Sequence, residues 1–243
     1  MSDAQAPSLT LYWSPGSCAR VTLVALEETG LPYEDRVLAR GEPGAMEAYT
    51  NTVNPKGKVP ALVVGDRVLT ETPALLTYLH GRCPEAALLP DTPDESLDAL
   101  VLTSWFAGGI HPLITRSRFP RFVSTVPESH DSIRDIALDG LRGCFGLLET
   151  RLGDGRQWLF DRWTIVDAYL LWLWFRGMGS GLTADEFPRV DDLARRCQQR
   201  PTVTRILDRE AAEFQALQQA GKAIPNPPPL QAGWLPEAPA TNA

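Results

Sequence analysis

Apolar positions along this 243-residue chain change their rhythm once, near residue 80. Residues 9–13 form a short apolar and aromatic run that fits a buried strand, and from Ala19 the spacing turns helical through Val21, Val24 and Ala25. Ser17 stands where an N-cap belongs, and Gly30 stands where that helix should stop, with Pro32 just beyond. Residues 33–38 read as a second strand, and the polar stretch 39–54 holds one short helix around 45–49. Two β-prone runs, 59–64 and 67–70, are joined by Gly65-Asp66 and read as a hairpin. Thr72-Pro73, an N-cap followed by proline at the first helical position, opens a helix through Leu75, Leu76 and Leu79. The predicted order, β-α-β-α-β-β-α, is that of a compact α/β domain over residues 9–80.

Pro84, Pro90 and Pro93 mark 81–94 as a linker, and 95–220 is read as an all-helical domain. Leu97, Leu100, Val101 and Trp105 form one apolar stripe, interrupted at Gly108-Gly109 and Pro112. Ile133, Ile136, Ala137, Leu141, Cys144, Phe145, Leu148 and Leu152 form a second. Thr164 and Asp167 make a capping box ahead of 168–175, a run with almost no polar face that must be buried on all sides. Two further helices are carried by Val190, Leu193 and Cys197, and by Val203, Ile206, Leu207, Phe214 and Leu217. Residues 221–243 hold six prolines and read as an extended tail with Trp234 as its one large anchor.

Composition narrows the function. Net charge is −7 with no run of Lys or Arg, which excludes the electrostatic footprint of a nucleic-acid binder and obliges any anionic ligand to find a local basic pocket. The first eight residues lack a cationic-then-apolar leader, and no apolar run reaches the ~18 residues of a membrane span, so the expectation is a cytoplasmic protein with no membrane partner. Cys18, Cys83, Cys144 and Cys197 are scattered, with no pairing that reads as a metal site or redox pair. Of the four, Cys18 has a chemical context. It lies at the mouth of a helix after Ser14-Pro15-Gly16-Ser17, where unpaired N–H groups lower a thiol pKa, typically into the range ~3.5–7.5, and would equally stabilise another molecule's thiolate.

Four blocks in order resemble the cytosolic glutathione transferases. Residues 12–18, with Ser-Pro-Gly-Ser-Cys, are similar to the bacterial beta class; 54–62, Asn-Pro-Lys-Gly-Lys-Val-Pro-Ala-Leu, to the segment ending in the family's cis-proline; Leu69-Thr70-Glu71-Thr72 and the helix after it to a third block; and 164–169 to the family's capping box. The resemblance implies a thioredoxin-like N-terminal domain followed by an all-helical one. It also implies glutathione as co-substrate, no metal, and a homodimer. Cys18, Ser17 and Ser14 are then the catalytic candidates. Val59 ahead of Pro60 would pair its backbone with the cysteinyl part of the tripeptide. Glu71 and Thr72 would take the two ends of the γ-glutamyl group, and Lys58 and Lys56 the glycyl carboxylate. Trp13, Trp105, His111, Arg116, Arg118 and Phe119 are candidates for the cleft of a small hydrophobic electrophile. The beta class also brings a histidine near its cysteine; here the matching position is Ala107, and His111 lies in the same segment without an assigned role. The expected activity is conjugation by a glutathione thiolate. The alternatives are a Cys18-dependent thiol transferase or glutathione lyase, a zeta-like isomerase, and a non-catalytic binding module.

Overall fold

The computed structural model describes residues 8–223 and Leu235. Its α/β part comprises β1 (Leu9–Trp13), α1 (Ala19–Thr29), β2 (Glu34–Val37), α2 (Ala45–Thr52), β3 (Ala61–Val64), β4 (Arg67–Thr70) and α3 (Thr72–Arg82). The sheet runs β2-β1-β3-β4. β2 is parallel to β1, while β3 is antiparallel to both β1 and β4. This is the thioredoxin-like fold. The β1–β3 ladder pairs Leu9 with Val64 through Tyr12 with Ala61, so Val59 lies just past its end. The Val59–Pro60 bond is cis. Gly30 caps α1 in the left-handed region, at φ 63°.

Helices α4 (Pro93–Trp105), α5 (His111–Arg118), α6 (His130–Arg151), α7 (Ile165–Met178), α8 (Pro188–Gln198) and α9 (Pro201–Gln219) make the helical part. At the Gly108-Gly109 interruption, α4 passes into α5 through one π-helical stretch, Phe106–Ile110. Gly109 is required there: a Cβ at that position would lie 2.6 Å from the Trp105 ring. An 18-residue stretch within Pro93–Arg118 reaches a mean hydropathy of 1.3, enough in length and composition to cross a membrane, whereas the sequence alone showed no apolar run of that length. Its inner face, with Ala99, Leu102, Phe106, Ile110 and Ile114, instead packs into the protein core.

α7 is the centre of the molecule. All its residues from Ile165 to Gly177 are buried, and full burial of each large apolar side chain contributes about 1.5–3 kcal/mol. The capping box is present: the Asp167 carboxylate accepts from the Thr164 N–H at 2.7 Å and from the Leu159 N–H at 2.8 Å. Burial nonetheless pushes Asp167 up to about 6. One continuous core joins the two parts, because α1 packs on α3, α7 and α9.

Four local expectations are corrected. The N-cap of α3 is Glu71, one residue earlier than Thr72, and that of α1 is Cys18, one later than Ser17. The stripe of Leu97, Leu100 and Val101 faces outward, 60, 49 and 58 % exposed, because the smaller Ala99 and Thr103 fill the inner face of α4. Ile136 is likewise exposed. Of the predicted tail, 224–234 and 236–243 lie outside the described residues, Trp234 among them; Leu235 is buried, and its N–H donates to the Gln198 side chain at 3.3 Å.

Candidate functional site

A cavity of about 500 Å³ opens between the two parts, where the chain leaves β1 and enters α1. Ser14, Pro15, Gly16, Ser17 and Cys18 form its floor. The floor is held from the helical side. The Gly16 N–H donates to the carboxylate of Glu210 on α9, and the Gly16 carbonyl accepts from Trp172 Nε1 on α7 at 3.2 Å. Glu210 also receives Arg20 Nε at 2.6 Å, and the Arg20 guanidinium lies 4.3 Å from the centre of the Phe175 ring. Both charges of this pair are buried, so each depends on the other for compensation.

The Ser17 hydroxyl donates to the Ser14 carbonyl at 2.6 Å and accepts from the Ala19 N–H at 3.4 Å, which closes the turn. Ser14 is buried against the cavity. Cys18 sits at the helix mouth, as its sequence context requires, with a thiol unlike the one expected there. Burial pushes it up to about 11, against the opposing pull of a hydrogen bond with the Thr72 hydroxyl, and its Sγ donates to the Val59 carbonyl at 3.6 Å. Desolvation of the thiolate outweighs the helix N-terminus. The same holds for His111, the first residue of α5: burial, then Arg176 and Lys58, bring it down to about 4, so it is a neutral ring, edge-on to Trp172 at 4.7 Å.

Lys58 and Val59 line the cavity beside Cys18. Their loop is fixed because the Lys58 carbonyl accepts from both Tyr49 Oη, at 2.8 Å, and Asn54 Nδ2, at 2.7 Å. Pro60 is buried behind them. Glu71 and Thr72 stand beside this cavity, outside its lining. Thr72 is buried against Cys18 and Tyr169, and Glu71 takes a backbone conformation rare for a residue with a side chain, at φ 72°. Lys56 is also outside the lining: its ammonium bonds Glu71 at 2.7 Å and Thr70 at 2.9 Å.

Of the residues expected in the second-substrate cleft, His111, Arg116 and Phe119 line the opposite wall, as does Ala107. Trp13 does not. It alternates with Leu9 and Leu11 on the core face of β1, fully buried, and its Nε1 donates to Asp35 at 2.6 Å. Trp105 is also outside the lining, its ring lying against Gly109. Arg118 is buried next to the wall, its guanidinium lowered to about 10 by desolvation. The sequence reading missed Arg40, Arg121, Trp172 and Arg176, all of which line the cavity. For Arg176 a signal was available: it is a lone cation at the end of the apolar run of α7, one helical turn after Trp172. Among the described residues, no three His, Cys, Asp or Glu side chains are grouped to hold a metal ion.

Comparison with known proteins agrees with the fold. The family model described as glutathione S-transferase, N-terminal domain, matches residues 15–82. The glutathione S-transferase GST-4.5 of Xanthomonas campestris pv. campestris is 30% identical over 169 residues, covering 67% of this chain and 79% of that protein. The maleylacetoacetate isomerase of Pseudomonas aeruginosa is 28% identical over 191 residues, 76% of this chain and 88% of that protein. The solved structure of a sphingomonad glutathione S-transferase complexed with glutathione superposes with a TM-score of 0.70 at 27% identity, over 83% of this chain and 98% of that one.

Proposed function

The chain belongs to the glutathione transferase family, and on that premise we propose that it binds glutathione over the start of α1 and directs the tripeptide's thiolate onto an electrophile held by the helical wall. The observation that carries this reading is the convergence on one cavity of the Ser14–Cys18 junction, Lys58 with Val59, and Phe119 with Trp172. Val59 pairs with the cysteinyl backbone, and Lys58 takes the glycyl carboxylate. Thr72 and Glu71, at the N-terminus of α3, take the γ-glutamyl group, whose ammonium displaces Lys56 from Glu71. Cys18 stays protonated at neutral pH, so the nucleophile is glutathione's own sulfur. Its proton leaves to solvent, the Ser17 hydroxyl, turning from the Ser14 carbonyl, and the N–H groups opening α1 hold the negative charge, and the new S–C bond forms as the leaving group departs with its electron pair.

The test begins with calorimetric titration of glutathione and conjugation of 1-chloro-2,4-dinitrobenzene. Cys18→Ala is expected to keep conjugating, while Ser17→Ala loses about tenfold or more in kcat/KM. The reverse pattern would transfer the chemistry to Cys18 and make the protein a thiol transferase or glutathione lyase. Absence of glutathione binding would leave only a non-catalytic module. The Pseudomonas aeruginosa relative's name favours a second reading, glutathione-dependent isomerisation, distinguished by glutathione being returned unconsumed after turnover. The proposed working form is a cytoplasmic homodimer, supported by family membership and by the outward apolar stripe of α4.

A further inference from the structure

The cavity is one-sided in charge. Among the described residues, Arg40, Lys58, Arg116, Arg121, Arg176 and Lys222 line it and no Asp or Glu does, in a chain with 30 acidic residues against 23 basic ones. The cations divide by wall. Arg40 faces Cys18, Lys58 precedes the Val59 whose carbonyl accepts from Cys18 and also faces His111, and Lys222 is engaged by Glu42 at 2.9 Å. Arg116, Arg121 and Arg176 belong to the opposite wall, where a hydrophobic electrophile would need none of them. Two of these are gathered on one ring: the guanidinium carbon of Arg121 lies 5.3 Å from the centre of Phe119, and that of Arg176 lies 5.9 Å from it. Arg176 is buried and faces Glu210 and Cys18 as well as Arg118 and Arg20. His111 contributes no charge of its own, Glu210 is paired with Arg20 at 2.6 Å, and Glu71 is paired with Lys56.

We propose that the second substrate is an anion, an aromatic or unsaturated carboxylate whose flat apolar part packs on Phe119 and the His111–Trp172 pair, and whose carboxylate is held by Arg116, Arg121 and Arg176. A guanidinium presents a planar fork that matches a carboxylate, and apolar walls strengthen such a pair by excluding water. The chain's overall negative charge would repel such a substrate elsewhere, so the local excess of cations also steers it to this mouth. The inference rests on reading the cavity as a glutathione transferase site, and it gives the hydrophobic electrophile of the sequence reading a negative charge.

Two synthetic glutathione conjugates test it without requiring turnover: S-(4-carboxy-2-nitrophenyl)glutathione and its aryl methyl ester. They differ by one charge, and the ester is the more apolar, so an ordinary hydrophobic cleft favours it. Calorimetry is expected to show the acid binding about tenfold tighter than the ester, with the advantage shrinking as salt is raised. The exposed pair Arg116→Gln and Arg121→Gln, which can be changed together without disturbing the core, should remove most of that advantage. Arg176→Gln should do the same, checked by its unfolding curve. Equal affinities, tighter ester binding, or an acid preference that survives the Arg116→Gln/Arg121→Gln exchange would overturn the proposal. Glutathione itself is the control: if it does not bind, the family reading of the cavity fails, and if it binds while the conjugates are not distinguished, only the anion assignment fails.

Discussion

Cys18 shows two opposing effects on one side chain. A helix N-terminus favours a thiolate, and removal from water opposes it; with Cys18 8 % exposed and its S–H given to the Val59 carbonyl, removal from water wins. A thiol titrating near 11 is ~0.1% ionised at pH 8. Cys18 should therefore react with iodoacetamide far more slowly than a free thiol at that pH, and its rate should keep rising with pH beyond 9, where an ordinary cysteine levels off. Mass spectrometry of the alkylated peptide across pH 7–11 measures this, and rapid labelling at pH 7 would refute the protonated assignment. The position of the cysteine at a helix mouth was legible in Ser-Pro-Gly-Ser-Cys; its burial was not, because that depends on Val59, Thr72 and Tyr169, distant in the chain.

Among elements, the contact that matters most for the site is that of α9 and α7 with the loop before α1. Glu210 and Trp172 hold the two polar groups of the Gly16 peptide, so the helical part shapes the floor of a cavity whose chemistry lies in the α/β part. Glu210→Leu leaves Arg20 charged and uncompensated in the core, and the expected loss is about 3–5 kcal/mol in urea unfolding. Adding Arg20→Met should restore most of that stability, since a buried pair exchanged for apolar residues is often neutral. Glutathione affinity should stay reduced in the double variant, because the Gly16 N–H has still lost its acceptor. Recovery of affinity along with stability would show that the pair acts through folding alone. Neither partner stood out in the sequence: Arg20 and Glu210 are ordinary charges on amphipathic helices, 190 positions apart, until the fold brings them together.

At the scale of the molecule, the outward stripe of α4 is an apolar face that none of the described residues covers. Leu97, Leu100 and Val101 share one face, and Val68 on β4 is also exposed. If this face joins two copies, Leu97→Glu with Val101→Glu should halve the mass seen by light scattering without changing the circular dichroism spectrum. A dimer that survives the double substitution must use another surface.

What the sequence determined by itself was the succession of elements and their local chemistry: the β-α-β-α-β-β-α order, the Gly30 stop, the Thr164–Asp167 box and the wholly apolar run of α7. These are set by spacing, capping and turn preference within a few residues, so a short window carries them. The tertiary structure alone decided which side of α4 faces inward, that Trp13 belongs to the core and not the cleft, that Cys18 keeps its proton, and that six cations among the described residues line one cavity of an acidic chain. Burial and electrostatic fields are sums over neighbours from every part of the chain, and folding chooses those neighbours.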